Sequence, residues 1–307
     1  MITFDKLKLV SAIENITIKK ADAFEMKERN GRVQSLSFHQ EYPYLLRIKI
    51  DYVENEFVLE FTGKVLGADY PKLISSDTIK QCFENINNLG ICTINIEAMM
   101  NSQVVTCDVT RDIECDDISR LSAYIRGHIR SYQLFNCKER CGNVTIERNV
   151  LTRKCKKRMI IYDKGKEMSS AENRKYVKEY GLERVFDNIC RLEMNLNSKH
   201  QIRESLGISD NTLSSVLESD ANPISTFIQE AVSPPSEPIQ YNDRKSYFIS
   251  LVLRDCDYDI AKVEAKMREL YKHGTKIAEV MKPYRVALDA MNQGDDDTYY
   301  RLIDKLK

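Results

Sequence analysis

The chain has 307 residues, 42% of them apolar, enough for one large domain or two modest ones. Lys and Arg total 46, and so do Asp and Glu, so net charge singles out neither a polyanionic nor a polycationic partner. No stretch approaches the eighteen or so apolar residues of a membrane span, and the opening MITFDKLKLV lacks the apolar core of a signal peptide. Nine scattered cysteines without a CxxC pair suit a reducing cytosol, with Cys92, Cys107 and Cys190 as small core hydrophobes.

Apolar and polar residues alternate in several segments, the period of a strand with one buried face. Leu46, Ile48 and Ile50 alternate with Arg47, Lys49 and Asp51, and Phe57, Leu59 and Phe61 follow the same rule. Ser76–Asn87 has helical spacing through Ile79, Phe83 and Ile86. Val105, Cys107 and Val109 form the next strand, then Asp116–Tyr132 carries Ile118, Leu121, Ile125 and Ile129 on one helical stripe. Val144 and Ile146 mark another strand. Met159–Glu167 reads as a strand with Ile160, Tyr162 and Lys164 on one face, Ser170–Tyr180 as a helix ending at Gly181, and Cys190–Leu196 as a last strand. Alternation of this kind predicts an α+β fold: a mainly antiparallel sheet, helices on one face and an open polar face. The order after residue 103, loosely repeated in residues 1–90, suggests a duplicated sheet.

Four of the seven prolines fall between Pro223 and Pro238, and Ser233–Pro238 reads SPPSEP. The expected organisation is a body over 1–232, a linker over 233–240 and a helical C-terminal region over 241–307. Such helices suit dimerisation or docking of another protein. On this division, residues 1–232 should suffice for activity.

Asp108 and Asp112 lie on the polar face of one strand and Glu193 on that of another. Side by side, Asp108 and Glu193 would suit a hard cation such as magnesium or manganese. Carboxylates that merely keep an exposed strand face soluble are the plainer alternative. The segment Thr152–Arg158, TRKCKKR, concentrates Arg153, Lys154, Lys156, Lys157 and Arg158. Alone it reads as a solvated hairpin tip.

Three blocks in order, VVTCDVTRDIECDD, RMIIYDKGKEM and CRLEMNLNSKHQIRESLGI, with FVLEFTGKVLG upstream, resemble the gene II replication proteins of filamentous phages. They also resemble the Rep nickases of staphylococcal rolling-circle plasmids. The resemblance spans about residues 45–210. It implies a replication initiator that nicks one strand of origin DNA, stays attached through a 5′-phosphotyrosine and leaves a 3′-hydroxyl primer, with a host helicase or polymerase as the partner for the C-terminal helices. It implies Tyr162 as nucleophile, Asp108 and Glu193 as ligands of Mg²⁺ or Mn²⁺ with Asp112 beside them, and Lys164 and Glu167 as further catalytic positions. The four histidines are far apart and form no His-hydrophobic-His pair, which favours a carboxylate-based site.

Single-stranded DNA is then expected on the polar face. Lys49, Lys64, Arg191 and the basic TRKCKKR segment are its candidate phosphate contacts. HQIRESLGISDNTLSSVLES has helix-turn-helix spacing, but an ordinary helix after the last strand is the preferred reading. A conjugative relaxase and a non-catalytic DNA-binding regulator are the competing functions.

Overall fold

A computed structural model describes residues 2–130, 134–148, 157–234, 244–256, 259–271, 276–292 and 297–307. The strands are β1 (Phe4–Ala12), β2 (Ile16–Ile18), β3 (Glu25–Arg29), β4 (Arg32–Gln40), β5 (Leu46–Asp51) and β6 (Glu56–Thr62). They continue with β7 (Cys92–Ile94), β8 (Gln103–Glu114), β9 (Phe135–Arg140), β10 (Asn143–Arg148), β11 (Arg158–Asp163) and β12 (Ile189–Leu196). Ten of these form one antiparallel sheet in the order β3-β4-β5-β6-β1-β8-β12-β11-β10-β9. β2 and β7 form a separate pair.

That order is a duplication. In the first half the opening strand, β1, pairs with the last, β6, and the sheet then runs back through β5, β4 and β3. The second half repeats this from β8 through β12, β11, β10 and β9. The two opening strands pair antiparallel at the centre, so a local two-fold axis passes between them. The alternation seen in the sequence becomes the two faces of this sheet. Leu7, Leu9, Leu46, Ile48, Phe57, Leu59, Phe61, Cys107, Leu192 and Met194 are all buried on the apolar face.

The helices are α1 (Ile79–Asn88), α2 (Ile96–Met99), α3 (Ile118–Gly127), α4 (Lys164–Met168), α5 (Arg174–Tyr180) and α6 (Lys199–Leu206). Further on are α7 (Leu213–Leu217), α8 (Pro223–Ala231), α9 (Arg244–Asp255), α10 (Ile260–Leu270), α11 (Ile277–Asn292) and α12 (Thr298–Leu306). α1 covers the apolar face of the first half, where Phe83 meets Phe61 edge-on at 6.0 Å. α3, α6, α7 and α8 cover the second half. α5 stops where expected, at Gly181 in the left-handed region (φ 65°), the conformation glycine adopts without strain. α7 has only five residues and buries Leu213, Val216 and Leu217, so it packs on the sheet and does not project as a recognition helix.

Two expectations change. The polar face is covered at one end, by the 3-10 segment Gly63–Lys72 and by α4 and α5, which bring Tyr70, Lys164 and Tyr176 over the strands. The C-terminal region also divides. α9, α10 and α11 share a small core of their own around Leu253, Val263, Met267 and Met281. α12 instead buries Tyr299, Leu302 and Leu306 in the core of the main body. There the Asn222 amide donates to the Leu306 carbonyl, and the Lys305 ammonium to the Glu114 carbonyl. An end at residue 232 therefore removes part of the main core. Leu302→Ala should lower stability by about 2–5 kcal/mol, the usual range for a buried leucine. Chemical denaturation reads it, and an unchanged midpoint would detach α12 from the body. No helix among the described residues is long and apolar enough to cross a membrane.

Candidate active site

Neighbouring strands align the polar side chains in rows across the sheet. Tyr162 of β11 sits opposite Arg191 of β12, which sits opposite Asp112 of β8. One step along, Ile160 faces Glu193 and Glu193 faces Thr110. The Tyr162 ring reaches diagonally along this face, and its hydroxyl donates to Glu193 Oε1 at 2.6 Å. Both side chains are half-buried.

Arg191 is the hub beneath them. It is fully buried, and its guanidinium donates from Nε and Nη2 to the two oxygens of Asp112 at 2.6 and 2.7 Å. Nη1 donates to Asp5 Oδ1 at 2.8 Å and to the Tyr70 hydroxyl at 2.7 Å. Tyr70 in turn donates to Asp5 at 2.9 Å. Asp5 reaches this position because a bulge in β1 between Phe4 and Lys6 shifts the register against β8.

Lys164 arrives differently from the sequence expectation. β11 ends at Asp163, whose side chain accepts from Lys166 N at 2.8 Å and caps α4, so Lys164 opens a helix and does not continue the strand. Gly165 allows the turn, since a Cβ there would meet the Phe186 carbonyl oxygen at 2.7 Å. Lys164 is 2% exposed, its ammonium 5.1 Å from the Tyr70 ring centre and 5.7 Å from that of Tyr162. Glu167 holds it at 2.6 Å and also accepts from Asn173 at 2.8 Å.

These neighbours set the charge states. Burial, with the charge of Asp5, pushes the Glu193 carboxyl up to about 7, against the opposing Tyr162 hydrogen bond and Arg191. Burial and the Glu193 charge push the Tyr162 phenol far above its ordinary value. Burial would also raise Asp5, but Arg191 and Lys164 carry it below the ordinary carboxylate value. Burial and Arg191 lower the Lys164 ammonium, with Asp5 and Glu167 opposing.

Tyr162, Lys164, Glu167, Asp112, Arg191 and Glu193 thus share one network. Asp108 lies just beyond it, accepting from Asn195 at 2.8 Å, and burial raises its carboxyl. Each of the three carboxylates expected to bind a metal has a partner within the protein. Both Asp112 oxygens accept from Arg191, Asp108 is held by Asn195 and Glu193 by Tyr162. Among the described residues no three His, Cys, Asp or Glu side chains converge as a metal cage.

The expected phosphate contacts also scatter. Arg191 is buried among carboxylates and faces no solvent. Lys64 is 16% exposed and donates to Asn173 at 2.7 Å within the cover. Lys49 is exposed and paired with Asp51, Arg158 is 46% exposed on the polar face, and Lys157 lies 3.8 Å from Glu204. Arg153, Lys154 and Lys156 lie outside the described residues. Asp5, Tyr70, Asn173 and Asn195 are additions that sequence reasoning missed. No family model, curated protein or solved structure matches the chain.

Proposed function

We propose that the chain is a tyrosine nickase and strand transferase that initiates rolling-circle replication of a phage or plasmid in a bacterial host. The observation that carries this reading is the 2.6 Å hydrogen bond from Tyr162 to Glu193 on the sheet's polar face. A phenol held this far above neutrality does not ionise before reacting, so it needs a base at the moment of attack. Glu193, near 7, is matched to that task. It takes the proton as Tyr162 Oη bonds to the scissile phosphorus. The bond from phosphorus to the 3′ oxygen then breaks, and that oxygen takes a proton from solvent. The product is a 5′-phosphotyrosine and a free 3′-hydroxyl. One phosphoester replaces another, so the strand can be rejoined without ATP. Lys164 and Arg191 supply fixed positive charge beside the phenol as negative charge builds.

Tyr162→Phe removes the nucleophile and keeps a ring to pack. Incubated with single-stranded origin DNA, the parent protein should give a covalent adduct on a denaturing gel and the variant none. Origin binding by the variant should stay near the parent's. An adduct of unchanged yield from the variant would rule out Tyr162. Strand binding without an adduct from the parent would favour the non-catalytic regulator.

A further inference from the structure

Away from Tyr162, the polar face carries a second charged cluster. Lys8 of β1, Glu60 of β6 and Arg47 of β5 face one another in register across three adjacent strands. Lys6 lies two residues along β1 on the same face. Glu60 is the only acid among these four. Its side chain is 9% exposed, with Lys6 at 2.6 Å and Lys8 at 3.5 Å. Burial would raise the Glu60 carboxyl, but Lys6, Lys8 and Arg47 together carry it below the ordinary value, so it stays ionised. Three cations thus surround one buried carboxylate. The cations remain open to solvent, with side chains 31, 37 and 47% exposed for Lys6, Lys8 and Arg47. Arg47 also lies 3.6 Å from Glu41, whose side chain is 72% exposed and therefore weakly held.

The cluster is also placed along a path. Lys6 pairs in register with Asp108, Asp108 with Asn195, and Asn195 with Arg158, a straight row across β1, β8, β12 and β11. Glu193 lies two residues from Asn195 on the same face. β1 is three strand spacings from β11, about 14 Å at the usual separation. A single strand lying across the face could therefore rest on the cations while one of its phosphates reaches Tyr162.

We infer that Lys6, Lys8 and Arg47, held in place by Glu60, form the phosphate-binding track for single-stranded DNA leading to Tyr162. This rests on the nickase reading for its direction, but its test does not need cleavage. A buried counter-charge fixes two lysines that would otherwise lose rotamer freedom on binding, while the excess of positive charge remains available to phosphates.

The test measures binding of a fluorescent oligothymidylate by the full chain carrying Tyr162→Phe, across a range of salt. Lys8→Gln with Arg47→Gln on that background should weaken binding roughly tenfold or more and flatten the salt dependence by about 1.4, two single-strand phosphate contacts at ~0.7 each. Lys27→Gln with Arg29→Gln, the same charge change on the exposed edge strand β3, should leave both nearly unchanged. Should the first double variant melt early, Lys8→Gln and Arg47→Gln singly are each expected to give about half the change in slope. Unchanged affinity and slope, an equal loss in the β3 variant, or no strand binding by the parent would each overturn the track. A missing covalent adduct from the native chain, with binding lost on cue in the track variant, would overturn the nickase reading and leave the track standing.

Discussion

Glu193→Gln is expected to slow covalent strand attachment by about 10²–10⁴-fold, the usual worth of a positioned general base. Glutamine keeps the size and can still accept from the Tyr162 hydroxyl, but it cannot take the proton. The pH profile separates this from loss of packing. Glu193 acts only when ionised, so the native rate should rise with pH through about 7. The groups that set this value are Tyr162, Asp5, Arg191 and Lys164, which all face it. In the glutamine variant that rise should disappear from single-turnover rates. Stability runs the opposite way. A carboxyl raised on folding contributes stability that is full below its unfolded value, near 4.5, and is lost as pH rises through about 7. The native protein should therefore melt lower above pH 7 for this group's part, and Glu193→Gln should not show that loss. A glutamine variant that keeps the native rate and the native profile would remove Glu193 from the chemistry.

Arg191→Ala is expected to cost about 3–5 kcal/mol of stability, because it leaves Asp5 and Asp112 without the cation between them. The guanidinium bonds both carboxylates and Tyr70 from a fully buried position. Asp5 supplies a second readout. Its carboxyl is held below its unfolded value near 3.8, so its contribution is full above that value and is lost as pH falls through the lower folded one. Without Arg191 this acid-side loss should shrink, and urea denaturation between about pH 2 and 7 reads both effects. A native-like midpoint in Arg191→Ala would mean that the buried network does not hold the central strands together.

The sheet was legible where each strand kept a two-residue period. β5, β6 and β12 lie within a residue of their expected segments because their apolar faces alternate without a break, whereas in β8 an irregularity buries Val104 in place of the expected Val105. Asp5 was not legible, since the bulge in β1 breaks that alternation beside it. Asp112 was legible as a polar-face carboxylate, but not as the partner of Arg191. That pairing depends on the register between β8 and β12, and alternation in each strand alone does not fix register. Lys164 was placed on a strand because the apolar run before it outweighed the Asp163 cap and Gly165, which start α4. Tyr70 meets Arg191 across 121 positions of chain, and α12 returns to the body past α9–α11. Contacts of that kind leave no local pattern to read.

The central claim is that Tyr162 attacks DNA with Glu193 as its base. The most direct measurement is to trap the native protein on a single-stranded oligonucleotide carrying the nick site, digest the adduct and locate the modified residue by mass spectrometry. The account predicts a 5′-phosphotyrosine at Tyr162. A nucleotide attached to any other residue, such as Tyr176 or Tyr180, would contradict it.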